Sequence, residues 1–369
     1  LSDTATLKQA IFFLKQAEKE FKNKGYEVQT LRIATSNLYT YLNGRSLNDA
    51  LPFLQIFDEL VKRYGVIISI GQILPPGNYE STIAGWAAGL IRNTSTISFN
   101  LSISSRKLGI HSNSIKASSE IIIALSKLNN GEANFRFTAS ANLFAGTPFF
   151  PAAYHEGINS FAIGLESANI LTQTFKNTGR FNAKQTLKTN LEKSLKRVQT
   201  IAEKIAAISK WKYDGIDVSP APGLDASIGH AIETYTGQPF GSASTLGACA
   251  MITDVLKNLD VKKCGYSGLM LPVVEDTVLA KRATEQRYTV KELLLYSSVS
   301  GTGLDVVPVA GDTPIEVIEG ILTDVAALSL KYMSKALSAR LFLIPGKKAG
   351  DTITFDNPYL TSTTIMKID

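Results

Sequence analysis

Cysteine is nearly absent from this chain, and the few present do not support a disulfide or zinc framework. Cys249 and Cys264 are the only two in 369 residues, too few for a disulfide scaffold and without C-x-x-C or Cys/His spacing, which points to a reducing compartment. Histidine is almost as scarce, with three copies, so any histidine-based chemistry rests on His111, His155 or His230. Long apolar runs are missing too. Ala10 to Leu14 falls far short of the ~20 residues a membrane span requires, and no charged-then-apolar leader opens the chain. Neither a Pro/Gly/Ser-rich linker nor a repeat of 20 to 50 residues divides it. With 44% hydrophobic residues, these absences predict a soluble cytoplasmic protein folded as one elaborated domain, without a membrane partner.

Charge is present but interrupted. The net charge is +6, and Lys184, Lys188, Lys193, Lys196, Arg197 and Lys204 cluster in one stretch, the composition that attracts a phosphate backbone. The same stretch carries Leu187, Leu191, Leu195, Val198, Ile201, Ile205 and Ile208 at three- and four-residue intervals, which describes an amphipathic helix with one buried face. Glu192 and Glu203 break the basic face, and no aromatic platform accompanies it. The stretch therefore predicts a solvated helix face and no nucleic-acid partner.

Short β-branched runs alternate with helical patterns throughout, the signature of a parallel sheet with crossover helices. Strands are expected over Tyr26–Thr35, Gly65–Ile70, Thr96–Ile103, Asn134–Ala139, Ser160–Leu165, Gly215–Ser219, Gly268–Val273, Leu304–Val309 and Arg340–Ile344. Helices are expected over Leu7–Lys22, Ala50–Tyr64, Glu80–Arg92, Ser114–Leu128, Gln185–Lys210, Ala226–Thr234, Ser244–Leu259, Val290–Ser298 and Pro314–Ala336, the last opened by a proline that loses no needed donor there. This alternation fits an open doubly wound sheet or a closed barrel, and spacing alone does not choose.

Several segments together resemble one family. They are Leu31-Arg-Ile-Ala-Thr35, Pro148-Phe149 with His155 and Gly157, Asp217 to Pro222, Cys264 through Glu275-Asp276, Gly303-Leu-Asp-Val-Val-Pro308, Asp312-Thr-Pro314, Lys335 with Arg340, and the Ile365-Met-Lys367 ending. The family is the uncharacterised one catalogued as domain of unknown function 711, described as pyruvate formate-lyase-like in fold. The resemblance implies an α/β architecture of the glycyl-radical-enzyme type, a single β/α barrel built from two half-barrels. It implies no reaction. The chain departs from the pattern at Gly164-Leu-Glu-Ser-Ala-Asn169, where Gly-x-Ser-Gly-Pro-Gly is expected, and at Gly241-Ser-Ala-Ser-Thr245, which lacks an expected histidine. Radical chemistry is disfavoured by the residues themselves, because the stretch from Asn357 to Asp369 contains no glycine and Cys264 matches no family cysteine. No glycyl radical is expected.

Polar residues at strand ends are the remaining chemical candidates, because α/β folds place ligands there. His155, in a long aromatic-rich loop, is the leading proton-transfer group; alternatively it only bonds local backbone. Asp217 and Asp305 complete the catalytic candidates, with Ser219, Ser244, Thr245 and Lys335 as ligand contacts. Glu275 and Asp276, with the other carboxylates, are candidate ligands for a hard cation such as Mg²⁺ or Ca²⁺, although the pair also reads as an ordinary helix start. Ser300-Gly-Thr-Gly303 lacks the strand-to-helix context of a dinucleotide fingerprint. Two functions remain open: a non-radical enzyme acting on a small polar or anionic molecule at a barrel mouth, or a non-catalytic assembly or ligand-binding protein. A homo-oligomer is the expected assembly.

Overall fold

A computed structural model describes residues 4–223, 226–331 and 335–369. In chain order the helices are α1 (Thr4–Lys22), α2 (Leu38–Leu42), α3 (Leu51–Lys62), α4 (Ile83–Asn93), α5 (Ser112–Ser126), α6 (Ala168–Asn177), α7 (Arg180–Ser209), α8 (Ile228–Thr236), α9 (Thr245–Lys257), α10 (Thr277–Thr284), α11 (Val290–Ser297) and α12 (Ile315–Leu330). The strands are β1 (Leu31–Ala34), β2 (Val66–Gln72), β3 (Ile97–Ser105), β4 (Gly109–Ile110), β5 (Phe137–Ala141), β6 (Ser160–Glu166), β7 (Lys212–Ala221), β8 (Gly303–Ala310), β9 (Leu337–Ile344), β10 (Thr352–Ile353) and β11 (Thr363–Thr364).

The fold is mixed α/β around a central, mostly parallel sheet ordered β1-β2-β3-β5-β9-β8, with β4 on the side of β3. Parallel pairing breaks at β5 with β9 and at β3 with β4, both antiparallel. Every residue of β9 is buried, and so are the first eight of β3. Both faces of these strands are covered; in β3 the alternate positions Ser98, Asn100, Ser102 and Ser104 are polar yet buried, so its second face packs against protein as well. A second parallel pair, β6 with β7, stands apart from this sheet. Single parallel bridges join Ile216 of β7 to Lys263 and Pro272 to Asp305 of β8. Among the described residues no pairing joins β1 to β6, so the hydrogen-bonded strands do not close the barrel the resemblance implied.

The expected strand over Gly268–Val273 is not formed; one bridge at Pro272 is its only sheet contact. Proline supplies no amide to a ladder, and Gly268 serves a different purpose. A Cβ built there would lie 2.4 Å from the Gly301 Cα, so two backbones touch at this point. The glycines of Ser300–Gly303 are thus used for close chain packing: Gly303 adopts φ +88 with the Ser338 carbonyl against it. The long basic helix is present as α7, burying Leu187, Leu191, Leu195, Val198 and Ile205. Its lysines meet Asp254 through Lys184, Asp260 through Lys196 and Glu20 through Lys204. Helix α12 begins after Pro314 and ends at Leu330; residues 332–334 of the expected longer helix lie outside the described residues. Among the described residues no helix is long and apolar enough to cross a membrane.

Candidate functional site

A cavity of about 970 Å³ opens between β1 and β6, with α1 and α7 also on its wall. Its position follows from the topology, since these two strands are neighbours across the cavity yet share no hydrogen bonds. Their directions are opposed. The His155 amide donates to the Thr35 carbonyl at the end of β1 (2.8 Å), and the His155 ring lies 3.5 Å from Ser160, the first residue of β6. At the other end, Arg32 near the start of β1 interacts electrostatically with Glu166, the last residue of β6. Much of the wall is apolar, including Leu7, Phe13, Phe57, Phe149, Phe161 and Ile163.

Arg32 is the unusual group. A cationic side chain in Leu31-Arg-Ile-Ala34 has to lie on one face of a strand whose other face, Leu31 and Ile33, is buried. Its guanidinium donates through Nη1 to the Pro148 carbonyl at 3.3 Å and lies 5.7 Å from the centre of the Phe150 ring. Among the described residues it makes no ion pair. Burial pushes its pKa down, with Glu275 and Glu166 opposing and Arg340 adding to the effect. A guanidinium has five donors in a planar fork, and among the described residues Arg32 on the cavity wall makes one side-chain hydrogen bond, to Pro148. Glu166, also on the cavity wall, is exposed, and its pKa is raised by partial desolvation and by Glu27, against the pull of Arg32.

Near Arg32 sits a buried charge cluster in which the groups pair with one another. Arg340 Nε donates to Asp305 Oδ1 at 2.6 Å, Nη2 lies 3.5 Å from Glu275 Oε1, and the guanidinium covers the Phe135 ring at 5.0 Å. Burial works against the Arg340 charge, but Asp305 and Glu275 outweigh it and raise its pKa. Glu275 is pushed up to about 7 by burial, with Asp305 adding to the rise and Arg340 opposing it.

The other sequence candidates are dispersed. Asp217 is wholly buried and accepts from the Ser219 hydroxyl at 2.7 Å and from the amides of Ser219, Tyr266 and Ser267. Burial raises its pKa against those donors. Ser219 also accepts from the Gly268 amide, so the pair stitches β7 to the segment after Cys264. Asp276 caps α10 through the amides of Val278 and Leu279, and takes Ser227 and the Ile228 amide at the start of α8, which is the helix-start alternative. Ser244 is exposed at the start of α9, and Thr245 accepts from the Gly241 amide. Lys335 donates to the Ser297 carbonyl, and its pKa is lowered to about 8 by burial, then by Lys257 and Lys331. Among the described residues the His155 ring reaches only the Gly157 carbonyl (3.3 Å) and Ser160, both at long range, and bonds none of Asp217, Glu275 or Asp305. No direct hydrogen bond therefore joins His155 to the carboxylates Asp217, Glu275 or Asp305 among the described residues. Among the described residues no group of three His, Cys, Asp or Glu side chains is placed to hold a metal.

With the geometry in place, comparison with known sequences defines the class. Residues 3–357 match the family described as Uncharacterised ACR (DUF711), and the chain belongs to it. It is similar to a UPF0210 protein of Pyrobaculum aerophilum, 27% identical over 354 residues covering 90% of this chain and 77% of the relative. A UPF0210 protein of Limosilactobacillus reuteri is 22% identical, covering 95% and 81% respectively. One of Clostridium perfringens is 23% identical, covering 98% and 84%. None of these names carries an activity.

Proposed function

We propose that this protein binds a small molecule with an anionic group and an apolar body in the cavity between β1 and β6, and acts on it by acid–base chemistry without a radical. The observation that carries the reading is Arg32, a partly buried guanidinium on the cavity wall whose one side-chain hydrogen bond among the described residues is to a backbone carbonyl. Carboxylates and phosphates are the ligands a free guanidinium fork fits. Glu166 supplies the proton-transfer group, since it is the carboxyl on the same cavity wall as Arg32 and its pKa is raised by desolvation and by Glu27. The architecture assumed is a barrel of the pyruvate formate-lyase type, supported by the bridges that lead from β7 through Lys263 and from Pro272 to β8.

Binding without catalysis is the second reading. It is favoured by Glu166-Ser-Ala-Asn169, which departs from the glycine-rich loop of the family, and by the loose hold on His155. The test uses Trp211, which lines the cavity and stacks on Phe13 at 4.2 Å. Titration with acetate, benzoate, octanoate and phenyl phosphate is followed by Trp fluorescence and thermal unfolding. A ligand at about ten times its Kd should stabilise the fold by about 1.4 kcal/mol, and Arg32→Met should remove the effect. Equal binding by wild type and Arg32→Met overturns the proposal. For a substrate found this way, loss of turnover with retained binding in Glu166→Gln supports the enzyme reading over the binding one.

A further inference from the structure

The cavity has a second polar station. His155, Asp214 and Gly146 line it and also line a smaller adjoining cavity of about 500 Å³, so the two spaces meet at these residues. His155 is fixed by its backbone to Thr35, three residues beyond Arg32 on β1. At about 3.3 Å per residue, the two stations lie about 10 Å apart along the strand. The wall between them includes Pro148, Phe149 and Phe150. At the far station the charges balance: Lys212 holds Asp214 at 2.8 Å, and Lys263 and Glu156 line the same small cavity. That end is polar without net charge, whereas the Arg32 end offers a guanidinium that makes no ion pair among the described residues, with Glu166 and Glu27 on the same wall.

Building on the anion-binding reading, we propose that the ligand is two-headed: an acid whose carboxylate or phosphate meets Arg32 and whose apolar stem carries an uncharged hydrogen-bonding group, of hydroxyl type, to His155. The ring's existing contacts at 3.3 Å and 3.5 Å are long enough to yield to a better partner. A second carboxylate gains no net attraction there, because Asp214 and Glu156 offset Lys212 and Lys263. Selectivity then comes from spacing as well as from charge.

The test titrates the full chain with three straight-chain series, unsubstituted fatty acids, ω-hydroxy acids and α,ω-dicarboxylic acids, read by Trp fluorescence and calorimetry. The expected result is an ω-hydroxy acid optimum at an end-to-end span of about 10 Å. It should bind roughly threefold to tenfold tighter than the unsubstituted acid of equal length. His155→Leu should erase that advantage and leave the unsubstituted acids unchanged, which separates a binding contact from a loss of fold. A hydroxyl advantage that is absent, independent of length, or retained in His155→Leu overturns the inference while the Arg32 reading stands. Dicarboxylates binding better than hydroxy acids likewise overturn it. Loss of all Arg32-dependent binding overturns the functional reading itself, and this inference with it.

Discussion

Replacing Asp305 with asparagine isolates the charge cluster behind the cavity. The Arg340–Asp305 contact at 2.6 Å joins side chains that retain only 8% and 6% of their exposure. Two unit charges about 4 Å apart at an effective dielectric near 20 attract by about 4 kcal/mol, and breaking a buried pair by removing one partner typically costs about 3–5 kcal/mol. Glu275 remains near Arg340 at 3.5 Å, so its ionisation recovers part of the loss. Its protonation therefore sets the pH dependence. In the wild type Glu275 is raised to about 7 by burial, with Asp305 adding to it. The folded chain then keeps a proton that the unfolded chain has released, and the associated stability is full below the usual carboxylate range and lost as pH rises through about 7. Without the Asp305 charge, Glu275 ionises at lower pH and pairs with Arg340. Asp305→Asn should therefore cost about 4 kcal/mol near pH 5 and about 2 kcal/mol near pH 8. Urea unfolding at both pH values measures it, with Arg340→Met and the double variant completing a cycle. The double variant should be less destabilised than the sum by at least about 1 kcal/mol. A cost below about 0.5 kcal/mol, a strictly additive cycle, or a larger cost at the higher pH would refute the reasoning.

Gly301→Ala should destabilise the fold by about 2 kcal/mol or more, because its Cβ would lie 2.2 Å from the Gly268 Cα and backbone must move; an unchanged urea midpoint contradicts this close approach. Lys335, lowered to about 8 by burial, should acylate in a pH-dependent manner with a midpoint near that value, read by peptide mass spectrometry, and a midpoint in the ordinary lysine range would remove the assigned burial effect. Because its folded pKa is depressed, its contribution should improve stability as pH rises from about 8 toward the usual lysine range. The α7 face, with Lys184, Lys196 and Lys204 paired to acidic residues, should give no measurable duplex DNA binding near physiological salt; tight, salt-sensitive binding removed by Lys196→Ala with Arg197→Ala would contradict it.

How far the sequence reveals this protein depends on whether a feature is periodic or relational. Helix α7 was legible because its leucines recur with the helix period and no distant residue has to be known. The Gly268–Val273 segment was misread as a strand because its apolar composition is real, whereas its contact with Gly301 lies across the fold. The same division separates the site residues. Asp276 showed both of its readings in sequence, and the structure selects the cap because Ser227 and the start of α8 arrive from far along the chain. Asp217 and Ser219 fall at an expected strand end as ligands do, yet Asp217 is met by the amides of Tyr266 and Ser267 and Ser219 by that of Gly268, and nothing local announces that arrival. Arg32 and Glu166 were both visible as residues, one within a matching motif and one as a departure from it. Their significance was not, because it arises where two strands run past each other without bonding. The usable signal was a cation inside the short apolar run Leu31-Arg-Ile-Ala34. A strand seldom places a charge there without a partner to meet it, and among the described residues Arg32 makes no ion pair and donates to the Pro148 carbonyl, which is the opening the proposed anionic ligand would fill.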